Sequence, residues 1–209
     1  MEFMQTNSLY DFQNPPMLVV LSGPSGVGKD ALLEKLKLRG YDFAFIVTMT
    51  TRPIRVNEIE GRDYNFVSKD QFAQLMMKDE LLEHSIVYGD YKGIPKAQVR
   101  TAFASNKDVI MRIDVQGAAK IRSLVPNVVT IFISAESEAA LIQRLTERKT
   151  ENADSLKIRI ATAREEMKRV SEFDYLVVNQ DDCLDEAVNK VVAIIAAEHC
   201  RIGRKPVKI

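Results

Sequence analysis

The chain has 209 residues, of which 46% are hydrophobic and 28% charged, and its 29 basic residues are balanced by 29 acidic ones. This length suits one domain with a sizeable core and small appended subdomains, and the zero net charge argues against a nucleic-acid partner held by bulk electrostatics. No apolar run approaches the roughly 20 residues that span a bilayer, so no membrane partner is expected.

The first 16 residues, "MEFMQTNSLYDFQNPP", lack the charged start and apolar centre of a secretory signal and the arginines of a transit peptide. We expect residues 1–16 to be a disordered lead-in. The two cysteines, Cys183 and Cys200, have no metal-ligand spacing and favour a reducing compartment. A cytoplasmic location is predicted, and a mature organelle protein would have the same features.

Apolar runs alternate with helical patterns along the chain. The predicted strands cover 17–22, 43–50, 108–114, 128–134 and 175–179. The predicted helices lie at about 116–124, 137–148, 152–171 and 183–200. Continuous apolar runs are typical of buried parallel strands, so this alternation predicts an α/β sheet with helices on both faces.

Two polar segments interrupt that alternation. Residues 51–106 are rich in turn residues, with a predicted helix near 69–79, and we interpret them as a small insertion that holds something beside the sheet. The arginine-rich segment 143–160 interrupts the later helices and is a candidate lid.

The stretch "GPSGVGKD" follows the first predicted strand and precedes a helical pattern. Its glycines allow backbone conformations in which successive N–H groups point at phosphate oxygens, and Lys29 adds a positive charge for β- and γ-phosphates. A chance match is the alternative, but the strand before and the helix after are the context that this motif requires.

Asp30 stands where such loops usually carry the Ser or Thr that helps to hold magnesium. A carboxylate is also a good magnesium partner, directly or through water, and negative charge is favourable in the first turn of a helix. We therefore expect a working loop with an altered metal shell and Asp30 as its metal ligand. A loop that has lost its chemistry remains the alternative.

Two further groups of residues suggest binding chemistry. Arg52 and Arg55, with the hydroxyl of Tyr64, would form a clamp for a second phosphate; otherwise they are solvated surface arginines. Glu83 and Asp114 lie beside strand-like runs, where a carboxylate could accept from guanine N1–H and N2–H₂. Their alternative is a helix-capping or salt-bridged acid.

Eight motifs fall in the order and spacing of one family. These are "SGPSGVGK", "TTRPIR", "EGRDYNFVS", "LLE", "YGDYKG", "IDVQGA", "RLTERKTE" and "RIATAREE". With them, residues 17 to about 200 resemble the guanylate kinases, and most closely the bacterial and plant-organelle branches.

The resemblance implies a P-loop NTPase fold: a three-layer parallel-sheet core with an inserted GMP-binding subdomain and a lid. It divides residues 17–205 into a core (17–47, 99–136 and 165–205), a GMP-binding insertion (48–98) and a lid (about 137–164). The implied reaction is transfer of the γ-phosphoryl group of ATP to GMP, with Mg²⁺ as cofactor and a monomer or a homodimer as the assembly.

The resemblance also implies roles for individual residues. ATP would be bound by Gly23, Pro24, Ser25, Gly26, Val27, Gly28, Lys29 and Asp30. GMP would be bound by Thr48, Arg52, Arg55, Tyr64, Glu83, Tyr91, Lys92 and Asp114. The catalytic cations would be Lys29, Arg144, Arg148 and Arg159.

Three positions besides Asp30 depart from the family pattern. Lys92 stands where a second Tyr is common, Ile94 where a Ser or Thr often contacts the base, and Lys149 replaces a Gly of the lid. Ile94 can neither donate nor accept a hydrogen bond, so base recognition is expected to rest more on Glu83, Asp114 and Thr48.

Two rival functions follow from the same resemblance. Guanylate-kinase-like modules of scaffold proteins bind protein ligands after losing the catalytic loop, whereas this chain has Lys29, the loop glycines and the lid arginines. A kinase for another small acceptor such as AMP is disfavoured by the two acids and the "TTRPIR" clamp.

Overall fold

The computed structural model describes residues 15–56, 58–147 and 153–208. Most of the predicted lead-in, residues 1–14, lies outside this range, while the carbonyl of Pro15 accepts a hydrogen bond from Arg204. Within the described part of the chain, no helix is long and apolar enough to cross a membrane.

Strands and helices alternate from β1 to the C-terminal helix. The strands are β1 (Leu18–Ser22), β2 (Phe43–Ile46), β3 (Met49–Thr50), β4 (Asn65–Phe66), β5 (Leu81–Val87), β6 (Asp90–Pro95), β7 (Asp108–Arg112), β8 (Val129–Ser134) and β9 (Tyr175–Val178). The helices are α1 (Lys29–Leu38), α2 (Lys69–Met77), α3 (Lys96–Ala104), α4 (Val115–Leu124), α5 (Glu138–Glu147), α6 (Ala153–Met167) and α7 (Leu184–His199).

The core is a parallel sheet with strand order β2-β7-β1-β8-β9. Side chains of β1 alternate between its two faces: Val19 and Leu21 pack with residues of α1, α5 and α7, whereas Leu18 and Val20 pack with residues of α3 and α4. Both faces are covered, which explains why the strand is apolar without interruption. The predicted three-layer α/β fold is confirmed.

A second sheet, with order β4-β3-β6-β5, stands beside the core sheet. Strands β5 and β6 form an antiparallel hairpin, and β6 also pairs with β3. Helix α2 is capped by Ser68 in a capping box: the Ser68 hydroxyl accepts from the Gln71 N–H, and the Gln71 side chain accepts from the Ser68 N–H.

Two elements differ from the sequence-based prediction. The predicted strand 43–50 is two strands in two sheets, because the chain leaves the β7 edge after Ile46. There the Val47 N–H donates to the side chain of Gln98 (3.0 Å) and the Thr48 hydroxyl donates to the Arg112 carbonyl (2.9 Å). Helix α3 was not predicted: it is short and buries only Val99 fully, so its periodicity is weak.

Candidate active site

The glycine loop connects β1 to α1 at the carboxyl edge of the core sheet. Gly23 and Gly28 have positive φ, 134° and 88°, which side-chain-bearing residues rarely adopt. A Cβ at Gly23 would also lie 2.1 Å from the Ile133 carbonyl oxygen. The loop therefore requires glycine at these positions for both conformation and space.

Lys29 lies at the start of α1 and is held within the loop. Its Nζ donates to the carbonyls of Gly23 (2.6 Å) and Pro24 (2.7 Å). Burial lowers the pKa of Lys29 to about 8, an effect that the nearby Glu166 and Asp30 carboxylates oppose. Burial also raises the pKa of Glu166, against the attraction of Lys29. The ammonium thus sits in a shielded position, where its charge acts strongly on an anion.

Asp30 is the second residue of α1 and forms an ion pair with Arg112. The carboxylate is 56% exposed, whereas the Arg112 side chain is 8% exposed at the end of β7. Arg112 also donates to the carbonyl of Asp63 (2.9 Å), and its guanidinium lies 4.5 Å from the centre of the Tyr64 ring.

The segment between β3 and β4 is organised around Glu58. This carboxylate accepts two hydrogen bonds from the Arg52 guanidinium (2.7 and 2.5 Å) and one from the backbone N–H of Arg55 (2.9 Å). Arg52 also packs over the Tyr64 ring at 4.7 Å. Glu58 therefore fixes the guanidinium of Arg52 and the backbone at Arg55, a role that the sequence did not reveal.

Glu83, on β5, is a buried carboxyl group with 3% exposure. Burial, reinforced by the negative charge of Asp114, raises its pKa to about 8. Its Oε2 atom is buried and has no hydrogen-bond partner within the described residues. A Cβ on Gly117 would lie 2.7 Å from this atom, so glycine at 117 leaves room for the carboxyl group.

Asp114 caps helix α4 and lies beside Glu83. Its Oδ1 accepts from the backbone N–H groups of Gln116 (2.9 Å) and Gly117 (3.1 Å), and its Oδ2 accepts from the Ser85 hydroxyl (2.5 Å). The capping alternative raised for Asp114 is therefore correct for one of its oxygens, while the residue still lines the cleft.

The hairpin β5–β6 carries the remaining residues that were predicted to bind GMP, and only one of them faces the cleft. Lys92 faces the cleft, with its Nζ 5.9 Å from the centre of the Tyr64 ring. The ring of Tyr91 instead stacks on Phe72, with 5.3 Å between ring centres. Ile94 is fully buried in the core.

The three predicted lid arginines have different positions. Arg159, on α6, is 8% exposed and packs over the ring of Tyr88, 5.2 Å from its centre. Arg144, on α5, donates to Asp181 (2.6 Å) and to the carbonyl of Asn179 (2.9 Å). Arg148 and the neighbouring Lys149 lie outside the described residues.

One cleft of about 610 Å³ brings most of the predicted residues together. Its lining includes Gly23, Ser25, Gly26, Gly28, Lys29, Asp30, Thr48, Arg52, Arg55, Tyr64, Glu83, Lys92, Asp114 and Arg159. Among the predicted residues that the structure describes, Pro24, Val27, Tyr91 and Arg144 are not part of the lining. The glycine loop and the two acids thus open onto the same space.

Sequence reasoning missed several polar residues at the site, among them Arg112, Glu166 and Ser85. Arg112 and Glu166 line the cleft, and Ser85 supports Asp114 from a buried position. A charged residue inside an apolar run is unusual, so the pattern "VIMRID" could have indicated that Arg112 has a specific partner. Glu166 ends the motif "RIATAREE", in which its charged neighbours do not distinguish it.

The chain is similar in sequence to proteins of known function. The family model described as Guanylate kinase matches residues 16–198. Guanylate kinase 2, chloroplastic/mitochondrial, of Oryza sativa subsp. japonica is 48% identical over 195 residues, covering 93% of this chain and 68% of the rice protein. A guanylate kinase of Clostridium perfringens (strain SM101 / Type A) is 41% identical over 191 residues, 91% of this chain and 88% of the bacterial one.

A solved structure agrees with these sequence matches. The crystal structure of guanylate kinase from Anaplasma phagocytophilum superposes with a TM-score of 0.77 at 28% identity, covering 92% of this chain and 90% of that one. The similarity therefore extends over nearly the whole chain.

Proposed function

The chain belongs to the guanylate kinase family, an ATP:GMP phosphotransferase family, and from this premise we propose which residues carry each part of the reaction. The protein transfers the γ-phosphoryl group of ATP to GMP and yields ADP and GDP. The observation that carries our assignment is the single cleft lined by both the glycine loop and the buried acids.

On the donor side, the loop Gly23–Asp30 binds the ATP phosphates. Its backbone N–H groups and the start of α1 favour an anion, and Lys29 supplies a mobile cation. In the structure Lys29 donates to two loop carbonyls, so it must exchange at least one of these partners for a phosphate oxygen. Phosphoryl transfer needs alignment and charge stabilisation more than covalent chemistry, and such a loop provides both.

On the acceptor side, Arg52, Arg55, Tyr64 and Lys92 bind the GMP phosphate. Glu83 and Asp114 read the guanine edge, with Thr48 beside them. The unpartnered Oε2 of Glu83 supports this assignment, because a buried acceptor without a donor is costly until a ligand provides one. Tyr91 supports β6 through its stacking on Phe72 and is assigned no contact with GMP.

Magnesium fits the donor side, although within the described residues no cluster of three or more His, Cys, Asp or Glu side chains could hold a metal. One exposed carboxylate, Asp30, stands at the loop, and a single carboxylate with substrate phosphates and water is a common magnesium environment. Asp30 would hold the ion directly or through water, and the ion would supply charge neutralisation on the phosphates.

We assign the lid function to the segment of about 137–164, with residues 48–98 as the acceptor insertion. Arg159 approaches the cleft from α6 and is placed to stabilise the transferring group when the cleft closes. Arg144 is bound to Asp181, so its catalytic role would require that ion pair to open. Arg148 stays a prediction.

The partners follow from the reaction: ATP and GMP are the substrates, and we propose neither a nucleic-acid nor a membrane partner. The assembly, monomer or homodimer, stays a prediction that light scattering would decide. We propose a cytoplasmic location, with an organelle as the alternative that the name of the rice relative supports.

The assignment is tested by ADP release with MgATP and GMP, AMP or no acceptor, for the parent and Arg55→Ala. GMP alone should support strong turnover in the parent. Loss of a phosphate-binding guanidinium should raise the KM for GMP at least about tenfold, equivalent to about 1.4 kcal/mol, and leave ATP affinity unchanged.

Arg62→Ala is the matched control, because Arg62 lies in the same segment but pairs with Asp63 at 2.8 Å and is not part of the cleft lining described above. Equal losses for both nucleotides in Arg55→Ala would contradict its role. No turnover with GMP from a folded parent that binds ATP would favour a binding module.

A further inference from the structure

Arg112 lies between the two halves of the cleft and contacts both. Its Nη1 donates to Asp30 on the donor side, its Nη2 donates to the Asp63 carbonyl (2.9 Å), and its guanidinium covers the Tyr64 ring on the acceptor side. The side chain is 8% exposed, so these contacts fix it in place.

The negative charge of Asp30 lies where phosphates are expected to bind, and this contact offsets it. A carboxylate in the first turn after a phosphate loop repels the phosphates that the loop must hold. The loop's own cation, Lys29, is shared with the nearby Glu166 carboxylate. A buried guanidinium that pairs with Asp30 removes most of this repulsion and keeps the carboxylate oriented.

We propose that Arg112 is a positioning residue that makes the acidic loop competent for ATP through its ion pair with Asp30, and that it also holds Tyr64 of the GMP clamp. The inference rests on the proposed assignment of the loop to ATP. It implies that Asp30 and Arg112 act as a pair on the donor side, whereas Arg112 acts alone on the acceptor side.

A double-mutant cycle tests both halves of the proposal. The proteins are the parent, Asp30→Ser, Arg112→Gln and the double variant. Calorimetry would measure the Kd of a non-hydrolysable ATP analogue, AMP-PNP, and of GMP, first in EDTA and then with saturating magnesium. Thermal unfolding would be recorded for every protein, so that binding is measured only where the protein is folded.

In EDTA, Arg112→Gln should weaken AMP-PNP binding at least about tenfold, because Asp30 then faces the phosphates without its guanidinium partner. Adding Asp30→Ser should recover most of this loss. The loss should be smaller with magnesium, which also neutralises Asp30. For GMP, the double variant should bind as weakly as Arg112→Gln, because the contacts with Asp63 and Tyr64 belong to Arg112 alone.

Several results would overturn the proposal. One is an Arg112→Gln variant that is less stable but binds AMP-PNP normally, which is the result expected if Arg112 contributes only to the stability of the fold. Another is a double variant that binds AMP-PNP no better than Arg112→Gln. If Arg112→Gln does not fold, Arg112→Met, which keeps the apolar part of the side chain, replaces it in the same cycle with the same expectations, and a folded Met variant with an unchanged Kd for AMP-PNP in EDTA contradicts the proposal.

Two controls separate the possible failures. The same cycle on Arg39 and Asp185, an ion pair remote from the cleft lining, should change neither Kd. Lys29→Met tests the loop assignment itself: if it leaves AMP-PNP binding intact, the assignment of the loop to ATP has failed, and not the Asp30–Arg112 pair.

Discussion

At the scale of single residues, Glu83 links base recognition to pH. Its carboxyl group has a pKa of about 8 because it is buried and faces Asp114. To accept from guanine N1–H and N2–H₂ it must be ionised, so below pH 8 GMP binding has to release a proton. The affinity for GMP should therefore increase with pH, by at most about tenfold per unit below the pKa, and level off above it.

Calorimetry of GMP binding between pH 6 and pH 8.5 measures this dependence, and Glu83→Gln should abolish it.

The pH dependence of the free energy of unfolding provides an independent measurement of the Glu83 pKa. The folded-state pKa of about 8 lies above the ordinary value of 4.5, so the folded state holds an extra proton between these values. Stability from this group is present at low pH and is lost as the pH rises towards 8. A flat GMP profile in the parent would contradict the proposed role.

Ser85 is expected to fix the second acid. Its hydroxyl donates to Asp114 Oδ2 at 2.5 Å from a buried position. Ser85→Ala should raise the KM for GMP by about three- to tenfold, which corresponds to the loss of one hydrogen bond of about 1 kcal/mol. The KM for ATP should stay unchanged.

The control for Ser85 is Ser123→Ala, whose hydroxyl donates to the Lys120 carbonyl (2.7 Å) at the exposed end of α4. Steady-state kinetics with each nucleotide varied in turn distinguishes the two variants. An equal rise in both KM values for Ser85→Ala would indicate a general loss of packing instead.

At the scale of elements, the parallel core was predictable because each strand is buried on both faces and therefore carries a continuous apolar run. The stretch 43–50 was predicted as a single strand for the same reason: most of its residues are apolar, and only the hydrogen-bond partners of Val47 and Thr48 show where one strand ends and the next begins. Such partners are distant in sequence, so local patterns do not contain them.

The glycine loop allows a test in which conformation and space are separated. Gly28 has φ 88° and caps α1, and a Cβ there would lie 2.4 Å from Asn179 Nδ2. Gly40 has φ 69° but no atom within 4 Å of its Cβ position. Both alanine variants carry the cost of a left-handed conformation, about 1–2 kcal/mol.

Gly28→Ala should lose more stability than Gly40→Ala and should also weaken ATP binding, because Asn179 must move from the Val27 carbonyl that it holds at 2.9 Å. Denaturant unfolding and ATP calorimetry of both variants measure the two effects. Equal stabilities together with normal ATP binding in Gly28→Ala would show that the loop adapts around a Cβ.

At the scale of the whole molecule, the sequence located the cleft but not its internal supports. Lys29, Glu83 and Asp114 stand in motifs that predict phosphate binding and base binding. The partners of Arg112 and Ser85 became visible only from the fold, which brings these residues to Asp30 and Asp114 from 82 and 29 positions away. Tyr91 was assigned by its motif, yet its ring packs on Phe72, since a motif does not specify the direction of a side chain.

The proposed closure of the cleft would depend on contacts between its opposite sides, and one such contact is present in the structure. Arg159 of α6 packs over Tyr88, in the turn between β5 and β6, so the proposed lid and insertion meet at this point. A partly exposed cation–π contact contributes about 0.5–1 kcal/mol. Loss of this contact should shift the molecule towards open forms and weaken the binding of ATP and of GMP to a similar extent. The variants of Ser85 and Arg55, in contrast, are expected to affect GMP alone.

Tyr88→Ala should therefore raise the KM for ATP and for GMP by about two- to fivefold each, corresponding to that contact energy. Tyr88→Phe keeps the ring and should behave as the parent, which separates the ring contact from any effect of the hydroxyl. Steady-state kinetics of the three proteins, with each substrate varied at saturating concentrations of the other, provides the measurement. A rise confined to one nucleotide would place Tyr88 in that nucleotide's own site, and an unchanged pair of KM values would show that closure does not use this contact.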